Sequence, residues 1–261
     1  AIDNISIEDK IGTPVADFTA STSTPCLNAP MTLLDQSAKS PTSWNWTISP
    51  NTFSFVNSTS ANSQNPQVSF SALGSYTVTL IATNTYGSDT ITKTNEIVVS
   101  ALPSLPIVQT FTTNSLGDFS LRNADNGTTW TRGDVDGPTG AKTGVMYMGY
   151  FNYNTVGTTD GLLSPKFDIS GYTNPTLMFD LSYAPYSTSF FDELAVVVSD
   201  DCGSTFDTLY FKGGADLSTA GTSTSTFVPN DPSDWRTDTV SLSNLSSNNV
   251  QFEFVGICGY G

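Results

Sequence analysis

The sequence predicts an all-β protein of two antiparallel sandwich domains, and three observations indicate this. Apolar and polar residues alternate with a period of two in many short runs, most clearly in residues 74–84. Asn, Gly and Pro separate the runs, as turns between strands require. No stretch of ten or more residues has clean helical periodicity. The length of 261 residues favours two domains of ordinary size.

Composition excludes several classes of function. The net charge is -15, which argues against binding to nucleic acid or to an anionic membrane surface. No apolar run approaches the roughly 20 residues of a membrane-spanning helix, so no membrane insertion is expected. The sequence opens without a secretory signal peptide, so we interpret the chain as a processed or excerpted piece of an exported protein.

The sequence contains no histidine. This excludes Ser-His-Asp and Cys-His nucleophiles and the HExxH zinc site. Asp192 and Glu193 are carboxylates on a predicted strand, but adjacent strand residues point to opposite faces, so they cannot be the paired acids of a glycosidase. We expect no enzyme activity and no organic cofactor.

The first domain is predicted over residues 13–100. Its strands recur at the spacing of a seven-strand Greek-key sandwich. Residues 73–76 have the pattern of a tyrosine corner. One of Trp44 and Trp46 is expected in the core and the other on the sheet face. Residues 1–12 precede this domain as a short strand-like run and a linker.

Several segments of the first domain resemble a PKD domain, which is an Ig-like sandwich. They are residues 16–21, 44–46, 65–68, 74–80 and 84–87. The common family motif WxFGDG is absent, and residues 46–50 stand in its place, so no metal or loop role is carried over. PKD domains are mostly spacers and adhesion modules, so the resemblance implies no catalysis.

A second domain is predicted over residues 107–261, after a stiff linker with two prolines at residues 101–106. Its predicted strands are residues 145–151, 176–183, 191–199, 208–212, 235–242 and 250–255. The apolar run at residues 194–198 indicates a central strand that is buried on both faces.

The order of segments in this second domain resembles the jelly-roll β-sandwich of gingipain-adhesin and MAM-like domains. They are residues 123–130, 162–170, 177–181, 192–203, 235–242 and 252–254. In that family the strand with F-x-F is followed by a last strand of the form I-D-N-I-x-I. Here residues 252–254 have no such strand after them, and residues 1–7 carry that pattern instead. The resemblance implies an extracellular protein of a bacterial cell surface, exported by type IX secretion.

This split predicts assembly by strand donation. A jelly roll without its last strand leaves unpaired backbone groups that another chain can cover. We expect an N-terminal donor-like strand to enter a neighbouring copy, so that copies join head-to-tail in a filament. The same geometry would arise inside one long repeat protein. The assembly strand comprises Ile2, Asp3, Asn4, Ile5, Ser6 and Ile7.

The three cysteines are Cys26, Cys202 and Cys258. Cys202 and Cys258 both follow predicted strands of the second domain, so we expect a disulfide between them in an oxidising compartment. Cys26 is interpreted as a small buried hydrophobic residue of the first domain.

Acidic turns of the second domain predict a structural Ca²⁺ site, because calcium binds carboxylate and carbonyl oxygens. The expected ligands are Asp125, Asp134 and Asp136, with Asp3 if the assembly strand docks nearby. The alternative is that these residues are solvated turn aspartates.

Other residues are candidate surface sites. Exposed tyrosines can stack on sugar rings, but a period of two would also bury about half of them in the core. The possible glycan platform is Tyr147, Tyr150, Tyr153 and Tyr186. Thr90, Thr208 and Thr239 occur in Asp-Thr-apolar triplets that resemble bacterial O-glycosylation sites. Arg132-Gly133-Asp134 is an RGD tripeptide, in which we expect Arg132 to pair with a neighbouring carboxylate.

The sequence therefore predicts a non-catalytic extracellular building block with a structural or adhesive role. Its expected partners are copies of itself and surface polysaccharide. The alternative is a carbohydrate-binding accessory region of a secreted protease or glycosidase.

Overall fold

The computed structural model describes residues 12–103, 105–112, 116–153, 155–245 and 249–259. The chain divides into two compact units, Ala1–Ala101 and Leu102–Gly261. Within the described residues, no helix has the length and apolar character needed to cross a membrane. The predicted assembly strand, including Asp3, lies outside the described residues.

The first unit is a sandwich of two antiparallel sheets. One sheet has the order β1-β2-β5-β4 and the other β3-β6-β7. The strands are β1 (Phe18–Ala20), β2 (Met31–Asp35), β3 (Ser43–Ser49), β4 (Phe53–Val56), β5 (Gln67–Phe70), β6 (Gly74–Asn84) and β7 (Gly87–Val99). The seven strands predicted from the alternating pattern are therefore confirmed.

The core of the first unit fixes the positions of its aromatic residues. Trp46 is buried, whereas Trp44 is half-buried and its Nε1–H donates to Asp35 Oδ2 at 2.9 Å. The hydroxyl of the fully buried Tyr76 donates to the carbonyl of Ala72 at 2.7 Å. Both predictions, one tryptophan in the core and a tyrosine corner, are confirmed.

The second unit contains a five-stranded sheet with the order β14-β13-β16-β11-β8, a β12-β15 pair and a β9-β10 pair. The elements are β8 (Ser120–Asn123), β9 (Thr131–Asp136), β10 (Lys142–Tyr147), β11 (Thr159–Leu163), β12 (Thr176–Leu181), β13 (Glu193–Ser199), β14 (Asp207–Gly213), α1 (Gly214–Leu217), β15 (Arg236–Ser241) and β16 (Gln251–Ile257). All pairings are antiparallel. The predicted all-β fold class of sandwich domains is confirmed.

One face of the five-stranded sheet packs on the β12-β15 pair. Phe179 of β12 contacts Tyr210 and Phe254 edge-on, with ring centroids 5.4 and 5.2 Å apart. On β13, Leu194, Val196 and Val198 belong to this core, and Ala195 on the opposite face is buried as well. The prediction of a central strand buried on both faces is confirmed.

Two details differ from the sequence pattern. The predicted strand at residues 145–151 ends at Tyr147, and a 3-10 turn follows at Tyr150–Asn152. Glu253 alternates with Phe252 and Phe254, a pattern typical of the exposed face of a half-buried strand, but Glu253 is buried. Arg122 Nε donates to its carboxylate at 2.5 Å. The pair crosses over β11 at Gly161, where no side chain intervenes.

Candidate functional site

β12 carries a half-buried part of the core of the second unit. β12 pairs with β15 along its whole length. Within the described ranges, no backbone hydrogen bond joins residues 176–181 to any other strand. Leu177, Phe179 and Leu181 face the core but stay half-buried, whereas Val240 on β15 is buried. A strand with unpaired backbone groups and a half-covered apolar row can accept a further strand.

A second feature is a cluster of buried oxygen atoms between β8 and β11. Asn123 lies directly opposite Asp160 in the strand pair, and the Nε1–H of Trp130 donates to the Asp160 carbonyl at 3.0 Å. Three oxygens, Asn123 Oδ1, Thr129 Oγ1 and Asp160 Oδ1, are buried without a hydrogen-bond partner. Burial raises the pKa of Asp160, and the side chain of Thr129 opposes this in part. Carboxylate, amide and hydroxyl oxygens of this kind are ligands that hard cations accept.

The predicted calcium ligands are engaged differently. Asp134 pairs with Arg132, as expected for the RGD tripeptide, and Asp136 pairs with Lys142 at 2.7 Å. Asp125 accepts from the Tyr153 hydroxyl and from the Gly127 amide, and these bonds lower its pKa. Within the described part of the chain, no group of three or more Asp, Glu, Cys or His side chains is placed to hold a metal. The predicted ligand set is therefore not assembled.

The predicted disulfide between Cys202 and Cys258 is wrong. β13 and β16 are antiparallel, so Cys202 follows the end of β13 while Cys258 follows the opposite end of the pair, beside Glu193. Seven residues of strand separate these ends by roughly 20 Å, which is too far for a disulfide. Cys258 carries a buried thiol that donates to the Tyr153 carbonyl at 3.3 Å.

Cys202 is disulfide-bonded, although not to Cys258. Cys26 is buried, as expected, but it is disulfide-bonded as well. Its interpretation as a purely hydrophobic residue is therefore wrong.

The four tyrosines of the predicted glycan platform do not form one surface. Tyr150 places its hydroxyl in the interior above Gly256, and burial raises its pKa. The hydroxyl of Tyr153 donates to the Asp125 carboxylate. Tyr147, at the end of β10, is exposed and lies beside Gly133 of β9. Tyr186 is exposed, but its aromatic neighbours are phenylalanines that the prediction did not include.

Asp192 is a buried carboxylate at the start of β13. Its Oδ1 accepts from the Gly259 amide at 2.9 Å, and its own amide donates to the Tyr183 hydroxyl at 2.7 Å. Burial raises the pKa of Asp192 to about 6, the Gly259 bond opposes this, and the charge of Glu193 adds to it.

The three candidate O-glycosylation threonines all lie on strands. Thr90, Thr208 and Thr239 are exposed on β7, β14 and β15. Beside Thr239, Asp238 is buried and accepts from Arg236, Lys212 and the Tyr210 hydroxyl. Asp238 thus links side chains of β14 and β15 by hydrogen bonds. Glycosylation of Thr90, Thr208 and Thr239 stays a prediction.

The PKD domain family model matches residues 12–99. Residues 12–99 are a PKD domain. The match covers the first unit, so the PKD resemblance predicted from the sequence is confirmed. No curated protein matches the chain.

Similarity to solved structures extends to the second unit. The chain is similar to a structure from work on carbohydrate-binding modules of the β-sandwich superfamily, at 16% identity over 97% of this chain and 93% of the other, with a TM-score of 0.39. It is also similar to the K1 cleaved adhesin domain of Lys-gingipain from Porphyromonas gingivalis W83, at 17% identity over 57% and 92%, with a TM-score of 0.40. The K2 domain of Lys-gingipain gives 16% identity over 57% and 92%, with a TM-score of 0.35.

A resemblance to gingipain-adhesin domains was predicted for the second domain, and two of these neighbours are adhesin domains of Lys-gingipain.

Proposed function

We propose that this chain is a non-catalytic extracellular building block of an adhesin-like surface protein, and that its second unit accepts a β-strand along β12. The observation that carries the proposal is the half-buried row of Leu177, Phe179 and Leu181 beside an open backbone edge. One added strand would pair the backbone groups of β12 and cover this row. The PKD domain then acts as a spacer between accepting units.

The proposed occupant is the assembly strand, residues 2–7, from another copy of the chain. In an extended conformation Ile5 and Ile7 face the same side and can cover the row on β12, while Asn4 and Ser6 face water. Donation from one copy to the next is head-to-tail and does not close, so it extends into a filament. In a longer repeat protein the following unit would supply the same strand.

Sedimentation velocity over a range of concentrations tests this proposal. The full chain is expected to form oligomers that grow with concentration. The double variant Ile5→Asp, Ile7→Asp is expected to stay monomeric, because it would place two charges against the apolar row. The matched control Asn4→Asp, Ser6→Asp adds the same charge on the opposite face and is expected to assemble. A full chain that stays monomeric, or equal assembly of both variants, would contradict strand donation.

A structural Ca²⁺ is part of the proposed function. The residues that would hold it are Asn123, Thr129 and Asp160, because Asn123 Oδ1 and Asp160 Oδ1 are buried without a hydrogen-bond partner and the Thr129 side chain lies against the Asp160 carboxyl group. Calcium takes six to eight oxygen ligands and would compensate the buried carboxylate. The bound ion would thereby link β8, β11 and the loop between β8 and β9 that carries Thr129.

Calorimetry with and without EDTA tests the cation. The wild-type melting temperature is expected to fall by several degrees when EDTA is added. Asp160→Asn is expected to melt lower and to lose this response, whereas the control Asp134→Asn should keep it, because Asp134 pairs with Arg132 instead. A wild-type protein with the same melting temperature in EDTA and in CaCl₂ would rule out the site.

A further inference from the structure

Three exposed aromatic rings lie side by side on the second unit. The ring centroids of Phe151 and Tyr186 are 6.4 Å apart, and those of Tyr186 and Phe190 are 6.5 Å apart. The exposed fractions of the three residues are 38, 37 and 45%. Aromatic rings normally contribute to stability by burial, so three adjacent exposed rings form a surface suited to stacking on a ligand.

A cleft adjoins this aromatic surface. Its volume is about 400 Å³, and its lining includes Pro185 and Ser187, which flank Tyr186 in the sequence. The other lining residues are Thr188, Ala215 and residues 218–222. All nine lining residues lie within the described ranges, and none of them is charged. The hydroxyl groups come from Ser187, Thr188, Ser218, Thr219 and Thr222.

The walls of the cleft are held together by the backbone. The amides of Thr219 and Ala220 donate to the Tyr183 carbonyl at 2.9 and 3.2 Å. The amide of Ser223 donates to the Pro185 carbonyl at 3.0 Å. Arg236 Nη1 also donates to the Ser218 carbonyl at 3.1 Å. A cleft fixed in this way loses little conformational entropy when a ligand binds.

Not all of the hydroxyls are used inside the protein. The Thr219 hydroxyl already takes part in internal hydrogen bonds, because its Oγ1 accepts from the Tyr183 amide and donates to the Tyr183 carbonyl. Ser187 Oγ accepts from the amides of Ser189 and Phe190 and donates to no acceptor among the described residues, so its proton is available to a ligand. Thr188 and Thr222 are exposed at the mouth of the cleft.

We infer that the surface of Phe151, Tyr186 and Phe190, together with the adjoining cleft, binds a neutral oligosaccharide. Sugar rings present apolar C–H faces that stack on aromatic side chains, and their hydroxyls exchange hydrogen bonds with Ser and Thr. The cleft has no cation to recognise an acidic sugar, and the net charge of -15 disfavours anionic polysaccharides. The site does not depend on assembly through β12.

Affinity electrophoresis of the full chain tests the inference. The neutral probes are laminarin, xylan, mannan and amylose, and the anionic probes are alginate and polygalacturonate. At least one neutral probe is expected to retard the protein. Tyr186→Ala and Phe190→Ala are each expected to weaken that binding about 10-fold, the upper range of one aromatic contact.

The matched control is Phe211→Ala, which removes a ring that is 55% exposed on β14, and it should leave binding within about twofold. A second variant, Thr222→Lys, leaves the aromatic rings in place and should weaken binding by blocking the mouth of the cleft. Melting temperatures close to wild type establish that the variants are folded. The inference is overturned if no neutral probe binds, if only anionic probes bind, or if Phe211→Ala weakens binding as much as Tyr186→Ala.

Discussion

Gly161 is the position where one added methyl group should cost the most. A Cβ at Gly161 would lie 2.7 Å from Cδ of Glu253 and 3.0 Å from its Cγ. Gly161→Ala would therefore force the Glu253 carboxylate away from Arg122. Only 8% of the Glu253 side chain is exposed, so its charge would be left without a partner in the interior.

The magnitude follows from the burial of the two partners. Breaking a fully buried ion pair costs 3–5 kcal/mol, whereas an exposed pair contributes about 1 kcal/mol or less. Arg122 is 39% exposed and can recover its hydration, so we expect a loss of about 2 kcal/mol for Gly161→Ala. For a unit of this size, that corresponds to a fall in melting temperature of about 4–8 °C.

Differential scanning calorimetry measures this effect, with two controls. Gly171→Ala adds a methyl group where no atom lies within 4 Å, so its melting temperature should stay near wild type. In a Glu253→Ala background, the further change Gly161→Ala should cost little, because the clashing side chain is gone. The reasoning is refuted if Gly161→Ala costs as much in that background as in the wild type.

Three further outcomes are expected. Asp192 has a pKa of about 6 when folded, above its ordinary value of 3.8, so its stabilising contribution is complete below pH 4 and is lost as the pH rises through 6. In Asp192→Asn, the free energy of unfolding from urea titrations should depend less on pH between 4 and 6 than in the wild type. An unchanged pH dependence would contradict the raised pKa of Asp192. Tyr76→Phe leaves the Ala72 carbonyl without its donor and should lower the free energy of unfolding by about 1–2 kcal/mol in denaturant titrations. Without reduction, Cys258 should resist alkylation in the native protein and react fully in guanidinium; rapid native labelling would contradict its burial.

The parts of the fold that the sequence predicts well depend on residues that are close together in the chain. The alternation in residues 74–84 produces β6, and the spacing of Tyr76 from Ala72 is four residues, so its tyrosine corner is readable from sequence. Arg132 and Asp134 are also two residues apart on one strand, which allows their pairing to be expected.

Contacts between distant segments could not be read in this way. Glu253 looks like a surface residue because its partner Arg122 is 131 positions away in sequence. Cys202 and Cys258 both follow strands, but only the antiparallel pairing of those strands shows that they lie at opposite ends. Of the three residues of the aromatic surface, the predicted glycan platform contains Tyr186 alone. Phe190 lies four residues later in the same loop, whereas Phe151 comes from the 3-10 turn at Tyr150–Asn152, 35 positions away in sequence.

The central place of β16 has a consequence for biosynthesis. β16 lies between β13 and β11, so it joins the β14-β13 half of the sheet to the β11-β8 half. Residues 251–257 are also the last strand of the described chain to leave the ribosome. Until they emerge, the two halves of the sheet have no strand between them, and the long-range pairing that closes the sheet cannot form. The five-stranded sheet of the second unit therefore closes only when β16, its most C-terminal described strand, has paired with β13 on one side and with β11 on the other.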